Sequence, residues 1–175
     1  RLKPYTKNKR FEDTGLFVSA MIQKSYEDGH NDFVIKIEEK IRDLGSFLEG
    51  TEDRKINLKI ESDVYWRCAV NIKHVNLICN GRAVSWSGTL AKYSKMVFNG
   101  FTGAHSVSGT NNCEITFHHE IQSFSCLAMK NCKIYSPRKD IIVRIAGNEN
   151  IKGLGNRGNE YYVVKKDGSA EEYKR

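Results

Sequence analysis

Asn112-Cys113-Glu114-Ile115 recurs nineteen positions later as Asn131-Cys132-Lys133-Ile134. Two earlier segments, His74-Val75-Asn76-Leu77 and Tyr93-Ser94-Lys95-Met96, hold the same register one and two steps upstream. In all four, an apolar or small second and fourth residue alternate with polar neighbours, the period-2 pattern of a half-buried strand. A second set of columns keeps the step: Val107, Cys126 and Ile145 in one, Trp86, His105, Phe124 and Val143 in the other. Trp66 falls one residue out of the second column. A third column, Asn112, Asn131 and Asn150, precedes the strands, where stacked amides can both donate and accept in a continuous ladder.

A repeat of 19 residues is too short for helix-pair units, and no leucine-rich pattern is present. Stacked parallel strands, one turn of a solenoid per repeat, fit it. The sequence therefore resembles the single-chain right-handed parallel β-helix, the pectin-lyase-like superfamily that includes phage tailspikes. The Asn-Cys pairs also resemble the short β-helices of cyclase-associated protein and tubulin cofactor C. The expected fold is mainly β: a short right-handed parallel β-helix of about five coils with a small N-terminal α/β cap. The chain divides into a cap at 1–54, the β-helix at 55–155 and a C-terminal tail or cap at 156–175.

Within the cap, Leu16, Phe17, Ala20, Met21 and Lys24 lie at helical spacing, with Asp13-Thr14 offering an N-cap. Phe33, Ile35 and Ile37 alternate as a strand, as do Ile56, Leu58 and Ile60. Ile41, Leu44 and Leu48 predict a short helix over 38–48, stopped at Gly50. In the tail, Tyr161-Tyr162-Val163-Val164 reads as a strand and Lys166-Asp167-Gly168-Ser169 as a turn.

The whole chain has 175 residues and carries 28 Lys/Arg against 21 Asp/Glu, a net charge of +7. Residues 1–54 contribute 10 basic against 11 acidic, 55–137 contribute 9 against 4, and 138–175 contribute 9 against 6. The excess sits in the repeat region, mostly as single residues. It lacks the clustered cations and interleaved aromatics of a nucleic-acid reader. It reads as a solvated surface, with a phosphate, sulfate or uronate partner as the sharper alternative. Composition excludes a disordered tail, a collagen-like chain and a disulfide miniprotein. No apolar run spans a bilayer. The start, Arg1-Leu2-Lys3-Pro4, has neither Met nor an apolar leader and reads as a trimmed chain without a visible signal peptide. Five cysteines (68, 79, 113, 126 and 132) with no CxxC spacing suggest free, buried thiols, and placement in a cytoplasm or a virion.

The densest polar cluster of the repeats is His118-His119-Glu120, a candidate binding site at a corner, where Glu120 can orient one ring. The resemblance implies, for a polysaccharide lyase or glycoside hydrolase, a convergence of carboxylates. The candidates are Glu61, Asp63, Glu114 and Glu120, which lack the spacing of a close pair. Asp28 to Asp32 does not match a calcium loop, and Gly147 to Gly158 does not match a phosphate loop. No catalytic residue, metal ligand or cofactor is therefore assigned. The sequence favours a non-enzymatic structural or binding protein. As a tail-spike or tail-fibre component it would be a homo-oligomer, trimeric if spike-like. Its partner would be a glycan or anionic polysaccharide. The rivals are a carbohydrate-cleaving enzyme and an intracellular polymer-forming protein.

Overall fold

Ile56, Leu58 and Ile60 point into the core from β3 (Ile56–Ile60) at no more than 1% exposure, while Asn57 and Lys59 point out. The same alternation builds β5 (Val75–Cys79), β6 (Lys95–Phe98), β7 (Glu114–Phe117) and β8 (Lys133–Ser136). These strands pair in parallel with like residues opposed: Leu58 with Leu77, Leu77 with Met96, Met96 with Ile115, Ile115 with Ile134. The sequence period of 19 is thus the register of the sheet. The structure, a computed structural model, describes residues 10–39, 41–148 and 155–174.

The remaining elements are α1 (Arg10–Glu27), β1 (Asp32–Ile35), β2 (Ile41–Arg42), β4 (Val64–Trp66), α2 (Lys139–Gly147), β9 (Glu160–Val164) and β10 (Ala170–Glu172). The main sheet has the order β1-β3-β5-β6-β7-β8-β9-β10 and is parallel except for the β9–β10 hairpin; β2 and β4 form a second, two-stranded sheet. One continuous set of buried side chains runs from Ile22 and Tyr26 on α1 to Ile142 on α2 and Tyr161 on β9. No described helix is long and apolar enough to cross a membrane.

This corrects the expected fold class. The chain is mixed α/β, not a mainly-β right-handed parallel β-helix: its eight-stranded, mostly parallel sheet is open and neither closes nor curls. The cause lies in the segments between the strands of this sheet, which, β2 and β4 apart, form no further strands among the described residues. There, alternate residues adopt left-handed φ: Arg67, Ala69 and Asn71; Trp86, Gly88 and Leu90; His105, Val107 and Gly109; Phe124, Cys126 and Ala128. Such alternation cannot continue a β-ladder, and neighbouring segments meet through isolated bridges such as Val64–Ala83–Thr102–Ile121 and through single backbone hydrogen bonds. The N–H groups of alternate, left-handed residues go to opposite neighbouring segments. Trp86 N–H donates to Ala104 O (3.0 Å), whereas Gly88 N–H donates to Cys68 O (2.7 Å). These bonds offset a conformational cost of about 1–2 kcal/mol at each non-glycine residue.

The helices also differ from expectation. The buried face of α1 is Gly15, Ser19, Ile22 and Tyr26, while Leu16, Phe17 and Met21 are exposed. Gly15 decides the orientation, because a Cβ there would fall on the Arg42 carbonyl oxygen. Close approach lets Ser19 Oγ donate to Gly15 O (2.7 Å) and accept from Gly45 N–H (2.8 Å). Asp13 and Thr14 lie inside α1 (Arg10–Glu27) and do not precede it. Among the described residues of 38–48 there is no helix. Ile41, Leu44 and Leu48 are buried there, but left-handed φ at Asp43, Gly45 and Phe47 breaks any helical path. Conversely, Val143 and Ile145 belong to α2, whose inward face is Ile141, Ile142, Ile145 and Ala146, and do not extend the repeat columns.

Candidate functional site: a groove at the strand starts

Each of β5 to β8 is entered through one left-handed residue: His74, Tyr93, Asn112 and Asn131, with φ of 51°, 50°, 52° and 51°. Asparagine is among the non-glycine residues best tolerated in that region. This conformation, not a side-chain ladder, accounts for Asn112 and Asn131. Both are exposed, and among the described residues their amides are not bonded to each other; Asn150 lies outside the described residues. The amide ladders run along other columns, where extended backbone stacks side chains directly over one another. Asn76 Nδ2 donates to Asn57 Oδ1, and Asn57 Nδ2 to Asp32 Oδ1 (both 2.8 Å). Asn99 Nδ2 donates to Asn80 Oδ1 (2.7 Å), and Asn80 Nδ2 to Glu61 Oε2 (2.8 Å). Each ladder ends on a carboxylate, and the Asn80 amide, followed by Lys59, holds Glu61 below its ordinary pKa.

At the strand starts the rings of His74 and Tyr93 stack at 5.3 Å and 12°. Beside them lies an open groove of about 610 Å³, lined also by Glu52, Lys55, Asn76, Lys95, Asn112 and Glu114. Lys95 Nζ and Glu114 Oε1 are 2.7 Å apart across it. Ser94 also lines it, and its Oγ donates to Lys92 O (2.8 Å) and accepts from Val75 N–H (3.1 Å). The groove thus offers a half-exposed aromatic pair, two primary amides and a tied ion pair. That set recognises hydroxyl-rich, ring-shaped ligands: amides pair with hydroxyls in either sense, and an aromatic ring packs against an apolar face.

His118, His119 and Glu120 occupy the turn after β7 and are all exposed. Glu120 is turned toward Arg138 (3.4 Å), which also holds Asp140 (2.8 Å). That pairing raises Arg138 and lowers Asp140 from their ordinary pKa values. Among the described residues no group of three or more His, Cys, Asp or Glu is placed to hold a metal ion. The four carboxylates of the enzyme alternative have separate partners: Glu61 with Asn80 and Lys59, Asp63 with the Arg82 N–H, Glu114 with Lys95, Glu120 with Arg138. Glu114 lines the groove, and Glu120 lines a different cleft beside α2.

Trp86, His105 and Phe124 stack at 4.7 and 6.0 Å, as their shared column implies, while Arg67 and not Trp66 takes the position one repeat earlier. All five cysteines are free and buried. The hydrogen bond with Cys132 and burial raise the Cys113 thiol; burial raises Cys126. Sequence reasoning missed the groove. The segments that line it were read for their inward residues, and the polar ones between them carried no motif. Comparison with family models, with curated proteins and with solved structures gives no match.

Proposed function

We propose that the chain is a non-enzymatic binding protein that takes a glycan in the groove at the strand starts. The observation that carries this reading is the half-exposed His74–Tyr93 ring pair flanked by the Asn76 and Asn112 amides in one groove. A sugar ring would lay its apolar face on Tyr93 and present hydroxyls to the amides. A glycan array, followed by titration of the best neutral oligosaccharide, tests it. Tyr93→Ala and Asn112→Ala are each expected to weaken binding by roughly tenfold, the loss of one aromatic contact or one buried hydrogen bond. Absence of glycan binding, or binding indifferent to both substitutions, would overturn the reading.

A tail-spike or tail-fibre component is the special case that the sequence suggested. Its architectural support went with the β-helix. What remains is the proposal of self-association, for which the sheet offers an outer strand, β1, with one paired neighbour and a solvent-exposed Val34. Sedimentation over a range of concentrations tests it: a fixed trimer supports the spike case and a monomer ends it.

A further inference from the structure

Immediately before the groove residues, one backbone column runs Glu49–Lys73–Lys92–Asn111–Lys130–Arg157 through successive parallel bridges. Its rungs are about 4.8 Å apart. The single acid, Glu49, is tied to Lys73 at 2.7 Å. Beyond that pair the column is cationic, with Asn111 as the only neutral member. Lys92 and Arg157 are exposed and Lys130 is half-buried, and among the described residues no ion pair involves any of the three. The surrounding stretches 89–94, 108–113, 127–132 and 155–159 contain no Asp or Glu.

The neighbouring outward column behaves differently. Lys95, Glu114, Lys133 and Glu160 alternate in sign and form ion pairs at 2.7 Å (Lys95–Glu114) and 3.4 Å (Lys133–Glu160). Like charges on facing rungs repel, and opposite charges attract. The chain therefore neutralises its cations on the sheet face and leaves them stacked and uncompensated three residues earlier. Of the 9 basic residues against 4 acidic in 55–137, this column holds three.

We propose that this column binds a linear anionic polysaccharide, sulfated or uronate, along the stacking direction of the repeats; the proposal rests on the glycan reading of the adjoining groove. Its cations recur every one or two rungs, about 5–10 Å, in a straight row. Duplex DNA presents a charge about every 3.4 Å per strand on a helical path and would leave the row after a contact or two. A single strand stacks its bases on aromatic faces, and the column itself, Glu49–Lys73–Lys92–Asn111–Lys130–Arg157, carries no aromatic residue. A polysaccharide places its anionic groups on Lys92, Lys130 and Arg157 and needs an aromatic face only where its rings reach Tyr93 in the groove.

The test uses the full chain and three probes: a sulfated oligosaccharide, the unsulfated oligosaccharide of the same backbone, and single-stranded DNA, each titrated at about 50 and 200 mM salt. The double variant Lys92→Gln/Lys130→Gln is compared with Lys36→Gln/Lys166→Gln, which removes the same charge at exposed sites beyond the far ends of β1 and β9. Expected are a sulfated ligand bound more tightly than the unsulfated one and a loss of about 100-fold in the column variant, roughly tenfold per cation. The control variant should lose less than about threefold, the order of a weak, screened surface charge. Equal losses in the two variants, no advantage of the sulfated ligand, or a preference for DNA would each overturn the proposal. Neutral ligand bound through Tyr93 with no gain from sulfation would leave the groove reading standing and end this one. Sulfated ligand bound through the column alone would do the reverse.

Discussion

Replacing Gly103 by Ala tests how closely the repeats are packed. Gly103 has no left-handed φ, so its constraint is room: a Cβ would fall on the Val84 carbonyl, with Val84 Cα only 3.0 Å away. Both partners are backbone, and neither can rotate aside. Seating the methyl requires the two segments to part by well over an ångström. That strains three bonds across the same rungs: Gly103 N–H to Ala83 O (2.8 Å), Ala83 N–H to Phe101 O (2.9 Å) and Trp86 N–H to Ala104 O (3.0 Å). At about 1–3 kcal/mol for each buried group left unpaired, the loss over the three bonds is roughly 3–9 kcal/mol. Total stabilities are about 5–15 kcal/mol, and each kcal/mol lowers Tm by about 2–4 °C at this size. A fall of at least about 6 °C is expected, and up to roughly 36 °C if all three bonds are lost in full. Gly147→Ala is the control. Nothing lies within 4 Å of its Cβ at the end of α2, so it should be neutral or stabilising by up to about 1 kcal/mol. Urea unfolding followed by far-ultraviolet circular dichroism measures both. A Gly103→Ala protein within about 1 kcal/mol of the parent would refute the close backbone approach on which the estimate rests.

Three further outcomes are expected. The Asn80 amide and Lys59 hold folded Glu61 below its ordinary 4.5, and Lys73 does the same for Glu49. Their contribution is present above pH 4.5 and lost as pH falls through the folded values. Tm should therefore fall below about pH 4.5, less steeply in Asn80→Ala; a Tm maximum near pH 4 would contradict this. Tyr162 donates to Glu160 and is pushed up to about 12. Its share of stability holds below the ordinary 10 and fades as pH rises toward 12, so ultraviolet titration should show a late-ionising tyrosine that Tyr162→Phe removes. Finally, five buried thiols should resist alkylation in the native protein and all label once it is unfolded. Rapid labelling of Cys126 without unfolding would show that the core is open there.

The repeat spacing and the identity of the inward strand residues were legible because parallel pairing stacks like on like. Ile115 over Ile134 and Leu77 beneath Met96 leave a period that survives in one dimension. The β9–β10 turn at 166–169 and the burial of Ile41, Leu44 and Leu48 were legible for similarly local reasons. The α1 face was not. Leu16, Phe17 and Met21 have the better apolar spacing, yet the helix turns Gly15 and Ser19 inward because only a residue without a side chain lets it settle against Arg42. Asn112 and Asn131 were noticed for the right column and the wrong reason: their spacing is visible, whereas their φ is not.

By itself, then, the sequence determined a parallel register of 19, its apolar columns, five buried cysteines and an excess of positive charge. Only the tertiary structure decided that the sheet stays open, since the left-handed alternation between its strands falls mostly on residue types that do not announce it, such as Arg67, Trp86, Leu90, Val107 and Phe124. It also decided what the charge means. Lys92 and Lys130 are 38 positions apart in sequence and look like scattered surface lysines. Two rungs of parallel bridging place them, with Arg157, in one row beside the groove. Side chains distant along the chain become neighbours only when backbone hydrogen bonds fix the register between repeats.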